Sequence, residues 1–175
     1  MQKRQKIVFL CVQNIAKFAK KHGISFLEAS VGDRYVLELI ERDGLSLGGE
    51  QSGHIIIREA ATTGDGQLTA IYLLNRMIET KCSAEELASV ITKYPQSTVN
   101  IPATAADKEA IKNSSEVENI ISGARERLRD RGRILVRPSG TEPLVRITVE
   151  SDSEELTASV CNDVACKIKD FITKK

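Results

Sequence analysis

Apolar and polar positions follow two different rhythms along this chain, and the rhythm changes at Pro95. Before it, short apolar runs alternate with stretches in which apolar residues recur every three or four positions. Residues 6–12 form the first run; Ile15, Phe18, Ala19 and His22 follow at helical spacing, and Gly23 is a natural stop. Residues 24–29 predict a second strand, and residues 33–42 a helix ended near Gly44. Residues 54–57 are rich in β-branched side chains and predict a strand. The turn Thr63-Gly64-Asp65-Gly66 places Asp65 to cap a helix carrying Leu68, Ile71, Leu74 and Ile78. Ser83 and Glu86 form a capping box for a further helix carrying Leu87, Val90 and Ile91. Strand and helix in alternation predict a layered α/β unit.

Beyond Pro95, residues 98–101 predict a strand and residues 103–114 a polar connection. Ser115 with Glu118 opens a helix whose one face carries Val117, Ile120, Ile121, Ala124 and Leu128, and Gly132 closes it. Residues 133–136 and 144–150 predict strands. In the second of these, Val145, Ile147 and Val149 share one face and Arg146, Thr148 and Glu150 the other, so Arg146 points away from the core and is available to a ligand. An amphipathic helix from about Ser153 turns Leu156, Val160, Val164, Ile168 and Phe171 inward. The change of rhythm divides the chain into domains over residues 1–95 and 96–175.

Composition narrows the class without naming a function. A chain of 175 residues, 41% hydrophobic and 28% charged, has the balance of a water-soluble globular protein. A net charge of +1 argues against a nucleic-acid or membrane surface built on overall charge. The basic start and the apolar run over residues 6–12 are too short for a signal peptide, and no stretch is long enough to span a bilayer, so the chain reads as cytoplasmic. The four cysteines, Cys11, Cys82, Cys161 and Cys166, show neither C-x-x-C pairing nor neighbouring histidines and read as reduced, partly buried thiols. His22 reads as a helix-end residue. The charge run over residues 125–133 reads as a solvated helix face.

Two loops carry chemistry. Arg137-Pro138-Ser139-Gly140-Thr141-Glu142-Pro143, followed by Arg146, offers two guanidinium groups, two hydroxyls and a glycine that leaves backbone N–H groups accessible. Arginine presents a planar fork of donors to phosphate oxygens, and successive N–H groups in a tight turn form an anion-holding concavity. On composition alone the same string reads equally as a turn between strands. The second loop is Gly48-Gly49-Glu50-Gln51-Ser52-Gly53-His54. Its carboxylate and hydroxyl, flanked by glycines, suit the gripping of vicinal sugar hydroxyls, because Glu50 can accept two donors at once. A hairpin loop with incidental polar residues is the alternative.

Taken together, the two strings resemble the α-D-phosphohexomutase superfamily. Val31-Gly32-Asp33-Arg34-Tyr35-Val36-Leu37 and Thr63-Gly64-Asp65-Gly66-Gln67 resemble its phosphoglucosamine mutase branch more than the phosphomannomutase and phosphoglucomutase branches. The likeness runs from about Ile24 to the C-terminus and is weaker before it. It implies an isomerase acting as an intramolecular phosphotransferase, which interconverts glucosamine 6-phosphate and glucosamine 1-phosphate through a 1,6-bisphosphate. It also implies four domains around one cleft: a phosphoserine in the first, a Mg²⁺ loop in the second, sugar-hydroxyl ligands in the third and a phosphate grip in the fourth. Residues 1–95 would then be a partial third domain of α/β type. Residues 96–175 would be an α+β C-terminal domain of the TATA-box-binding-protein-like kind, an antiparallel sheet with helices on one face. Matched by position, Glu50, Ser52 and His54 fall on the sugar-binding motif, and Gly32, Asp33 and Arg34 on the neighbouring specificity loop. Arg137, Ser139, Gly140, Thr141 and Arg146 fall on the phosphate-binding set.

The chain also departs from the family. It has no Ser-His-Asn-Pro-like loop and no Asp-Gly-Asp-x-Asp-Arg string, and Gly64-Asp65-Gly66 brings one carboxylate, which reads as a helix cap. No catalytic residue and no ligand of the family's Mg²⁺ is therefore assigned within it. Phosphoryl transfer rests on positioning and on charge neutralisation by metal and cations, so the expectation is binding without turnover. Its expected ligands are a hexosamine phosphate and its 1,6-bisphosphate, with N-terminal domains on a separate chain as a further expected partner. Four readings stay open from sequence: the C-terminal part of such a mutase, a fragment of a phosphomannomutase/phosphoglucomutase instead, a stand-alone phosphosugar-binding module, and a remnant in which the loops persist as turns.

Overall fold

The structure, a computed structural model, describes residues 6–9, 13–29, 32–50 and 53–174, and the chain divides into two compact units, Met1–Lys93 and Tyr94–Lys175.

In the first unit β1 (Lys6–Phe9) lies parallel to both β2 (Ser25–Glu28) and β3 (Leu47–Gly49). β4 (Ile55–Ile57) runs antiparallel to β3, giving the order β2-β1-β3-β4. Parallel neighbours cannot be joined by a tight turn, so each parallel connection carries a helix: α1 (Gln13–Lys21) from β1 to β2, and α2 (Asp33–Asp43) from β2 to β3. Val36 and Ile40, one turn apart on α2, are buried with Ala29, Leu45 and Ile56. Gly44 ends α2 in the left-handed region (φ 65, ψ 42), and its N–H returns to the Ile40 carbonyl. Gly48 and Gly49, read from sequence as loop, belong to β3 and are buried. Pairing with β1 on one side and β4 on the other outweighs the low strand propensity of glycine.

Asp65 caps α3 (Gly66–Thr80) by accepting from the Leu68 N–H at 2.9 Å. Ser83 and Glu86 complete the capping box of α4 (Ala84–Ala88). That helix stops before Val90 and Ile91, which the periodicity had included; the β-branched series Val90, Ile91, Thr92 resists helical χ1 restriction. None of the residues of α3 is buried, and Ile71, Leu74 and Ile78 are 55%, 56% and 75% exposed.

The second unit is built on an antiparallel sheet of order β5-β7-β6, from β5 (Gln96–Pro102), β6 (Gly132–Pro138) and β7 (Leu144–Ser151). Val145, Ile147 and Val149 of β7 are fully buried against α6 (Ser115–Leu128) and α7 (Glu154–Thr173), through Val117, Ala124 and Leu128 of the first helix and Val160, Val164 and Ile168 of the second. The opposite face carries polar residues in register. Asn100, Arg146 and Arg137 form one row, Gln96, Glu150 and Arg133 another.

Three details here differ from the sequence reading. The connection over residues 103–114 holds a helix, α5 (Ala105–Asn113), capped by a Thr104/Asp107 box; its sparse apolar content, with Ile111 its one buried residue, hid it. Ser114, not Ser115, is the N-cap of α6, and the helix ends at Leu128 rather than Gly132, with Arg129 at φ 46. Gly132 opens β6 instead: a Cβ there would lie 2.4 Å from the Glu150 carbonyl oxygen. Glu150, assigned to the open face, is on that face but buried, because the Arg133 guanidinium covers it with bonds of 3.0 Å from both Nε and Nη2. Among the described residues Cys161 is buried, Cys82 half-buried and Cys166 exposed; Cys11 lies outside them. Burial pushes the Cys161 thiol pKa up. The charge run pairs across the surface, Arg125 with Glu118, Arg127 with Asp163 and Arg131 with Asp152.

Candidate functional site

The loop between β6 and β7 is folded by its own polar groups. The Ser139 N–H donates to the Leu144 carbonyl (2.9 Å), the Leu144 N–H to the Glu142 carbonyl (2.9 Å), and the Glu142 N–H to the Ser139 hydroxyl (3.1 Å). These bonds wrap a concavity of about 220 Å³ lined by loop residues 138–142 with Arg137 and Arg146. Arg137 and Arg146 are direct cross-strand partners. Opposed side chains on one face of an antiparallel pair stand about 5 Å apart at Cβ, and like charges there repel. Arg146 is relieved by Glu142 Oε2 and by Asn100 Oδ1, each at 3.2 Å. Among the described residues the Arg137 side chain makes no hydrogen bond or ion pair, and the N–H groups of Gly140 and Thr141 make no hydrogen bond. The result is a hollow with an unpaired guanidinium and two free amides, the inventory that an oxyanion satisfies.

The second loop is arranged differently. Glu50 is largely buried, and its Oε1 accepts from the Gly32 N–H at 3.0 Å while Oε2 stands 3.7 Å from Nδ1 of the exposed His54. The Glu50 N–H donates to the His54 carbonyl (2.9 Å) and the Gly53 N–H to the Glu50 carbonyl (3.0 Å). Two loops read separately in the sequence are thus joined through one carboxylate. Gly32, at φ 126 and ψ 133, occupies a conformation that residues with a side chain rarely adopt, and from there its backbone N–H reaches Glu50. Asp33 Oδ1 accepts from the Arg34 N–H at 2.8 Å. Arg34 pairs with Glu38 at 2.9 Å on the exposed side of α2, and that hydrogen bond raises its pKa further. Ser52 lies outside the described residues.

Asn100, which holds Arg146 at the candidate site, is a residue that sequence reading did not single out. One polar position in a strand carries no sign of which residue pairs with it, and its contact with Arg146 follows from register alone. The residues present do not fit a magnesium site: the carboxylate of Asp65 holds the Leu68 N–H, and among the described residues no three His, Cys, Asp or Glu side chains cluster to hold an ion. No helix among the described residues is long and apolar enough to cross a membrane.

Fold and sequence agree on the family. Residues 8–94 match the phosphoglucomutase/phosphomannomutase alpha/beta/alpha domain III, and residues 98–167 match the C-terminal domain of the same family. The chain belongs to this phosphohexomutase family. Within it, the chain is similar to phosphoglucosamine mutases: it is 44% identical to that of Limosilactobacillus fermentum over 165 residues, 93% of this chain and 36% of the relative. It is 44% identical to that of Anoxybacillus flavithermus over 170 residues, 96% of this chain and 38% of the relative. The chain therefore spans somewhat more than a third of the length of these curated relatives and corresponds to their C-terminal part. Among solved structures, Aspergillus fumigatus N-acetylphosphoglucosamine mutase in complex with glucose 1,6-bisphosphate superposes with a TM-score of 0.80 at 15% identity, over 97% of this chain and 39% of that one. The same enzyme with GlcNAc-6P and magnesium gives 0.77 at 16% identity, again over 97% of this chain and 39% of that one.

Proposed function

We propose that this chain contributes the sugar-hydroxyl and phosphate-binding parts of a phosphoglucosamine mutase, taking a hexosamine monophosphate and its 1,6-bisphosphate as ligands. The observation that carries this reading is the row Asn100–Arg146–Arg137 with its adjoining loop. Two guanidinium groups set opposite each other are unfavourable in the empty sheet, and a dianion placed between them turns that repulsion into attraction. Arg137, Arg146, the Gly140 and Thr141 N–H groups and the Ser139 and Thr141 hydroxyls hold the phosphate. Glu50 holds sugar hydroxyls: a carboxylate has about four lone-pair sites, so the bond from Gly32 leaves acceptor capacity. His54 and Gly32 orient that carboxylate. Ser52, Asp33 and Arg34 complete the sugar-facing set, with Arg34 released from Glu38 on binding.

The phosphoserine and magnesium motifs of the family are not in this sequence, and we assign it binding rather than the transfer step. Titration of the chain with glucosamine 6-phosphate tests the reading. Saturable binding that weakens when Arg137 or Arg146 becomes alanine supports it; the same affinity in both variants overturns the phosphate assignment.

A further inference from the structure

The loop between β6 and β7 is held from outside by a residue that neither the motif nor the family likeness includes. Lys108, on α5, donates from its ammonium to the carbonyl oxygen of Ser139 at 2.7 Å and to that of Glu142. The same segment makes a third tie: the N–H of Ala103 donates to the Pro143 carbonyl at 3.0 Å. We infer that Lys108 is the positioning residue of the phosphate loop, aiming the Gly140 N–H into the hollow and supplying one of the charges that match a dianion. This rests on the phosphate-binding reading of that loop.

Peptide geometry carries the first part. The Ser139 carbonyl and the Gly140 N–H belong to one peptide unit, and in a trans peptide the two point in opposite directions; the described chain has no cis peptide. Holding the Ser139 oxygen at an ammonium therefore fixes the adjoining N–H on the far side, where among the described residues it makes no hydrogen bond. Gly140 has nothing within 4 Å of a would-be Cβ, so no packing holds this peptide plane. Without the tether, the Ser139 carbonyl is free to rotate toward the hollow and present an oxygen to an anion, the worst partner for it.

Charge carries the second part. Arg146 is offset by Glu142, and the Asp107 carboxylate beside Lys108 is occupied by the Thr104 N–H and hydroxyl. Arg137 and Lys108 remain, two positive charges for a phosphate dianion. Lys108 is half-buried, and its ammonium is already engaged with carbonyls, so it acts on phosphate through the loop rather than by gripping it.

The experiment compares Lys108→Met, which keeps the stem and removes the charge and donors, with Lys108→Arg, which keeps both. In the ligand-free full-length chain, the ¹⁵N order parameter of Gly140 is expected to fall from the rigid range near ~0.85 to below ~0.6 in K108M and to stay high in K108R. Affinity for glucosamine 6-phosphate is expected to drop roughly ten- to a hundredfold in K108M, and by far less in K108R. An unchanged Gly140 order parameter in K108M overturns the inference whatever the affinity does. A K108M binding defect that vanishes in high salt overturns the positioning role, since charge attraction alone then accounts for it. Failure of the unmodified chain to bind the sugar phosphate refutes the phosphate-binding reading instead, and the ligand-free measurement still decides whether Lys108 orders the loop.

Discussion

The two candidate loops differ in how far their polar groups are already satisfied. In the acidic loop Glu50 is largely buried and holds the Gly32 N–H, so the proposed ligand carboxylate also makes a structural bond between residues eighteen positions apart. In the cationic loop several groups lining the hollow have no partner among the described residues: the Arg137 side chain is unpaired and opposed by Arg146, and the Gly140 and Thr141 amides are free. One site is built to be stable when empty, the other is left unsatisfied until an anion arrives. Substitutions should therefore have opposite effects on stability in the two places. Removing a ligand group from the acidic loop should cost folding free energy, whereas removing one from the cationic loop should cost binding and restore stability.

The largest effect expected is at Arg137. Arg137→Ala should weaken glucosamine 6-phosphate binding by about 1.5–3 kcal/mol, the worth of a charged hydrogen bond, as measured by calorimetric titration. It should also raise unfolding free energy by about 0.2–1 kcal/mol through relief of the cross-strand repulsion. A loss of stability here would break the comparison. Next is Glu50→Ala, which strands the Gly32 N–H and should destabilise the first unit by about 1–3 kcal/mol in urea unfolding. An unchanged midpoint would mean that Glu50 is held for the ligand alone. Gly32→Ala should cost about 1–3 kcal/mol of backbone strain at φ 126, read as a lowered midpoint in urea unfolding. The smallest change expected is at Glu142: Glu142→Gln frees Arg146 from a half-exposed pair, and such pairs contribute about 0–1 kcal/mol. Phosphate affinity should rise by roughly two- to fivefold, and a fall would show that Glu142 serves the ligand rather than competing with it.

Much of this was legible in the chain. Helical spacing located α2, α6 and α7, because an amphipathic face must repeat with the helix turn whatever it packs against. Local chemistry located caps such as Asp65 and Ser83, which act within three residues of themselves. The helix α5 escaped because a short solvent-facing helix needs few apolar residues, and β3 escaped because two glycines enter a strand only when neighbours on both sides supply the hydrogen bonds.

The sequence by itself determined the alternation of strand and helix, the inward face of β7 and the choice of the two candidate loops, since each depends on residues near one another in the chain. Only the tertiary structure decided that Arg137 faces Arg146, that Glu150 is buried beneath Arg133, that Gly32 is the partner of Glu50, and that Lys108 reaches the carbonyls of a distant loop. Strand register and long-range hydrogen bonds are fixed by the summed packing of a whole sheet, and no single stretch of residues carries that sum.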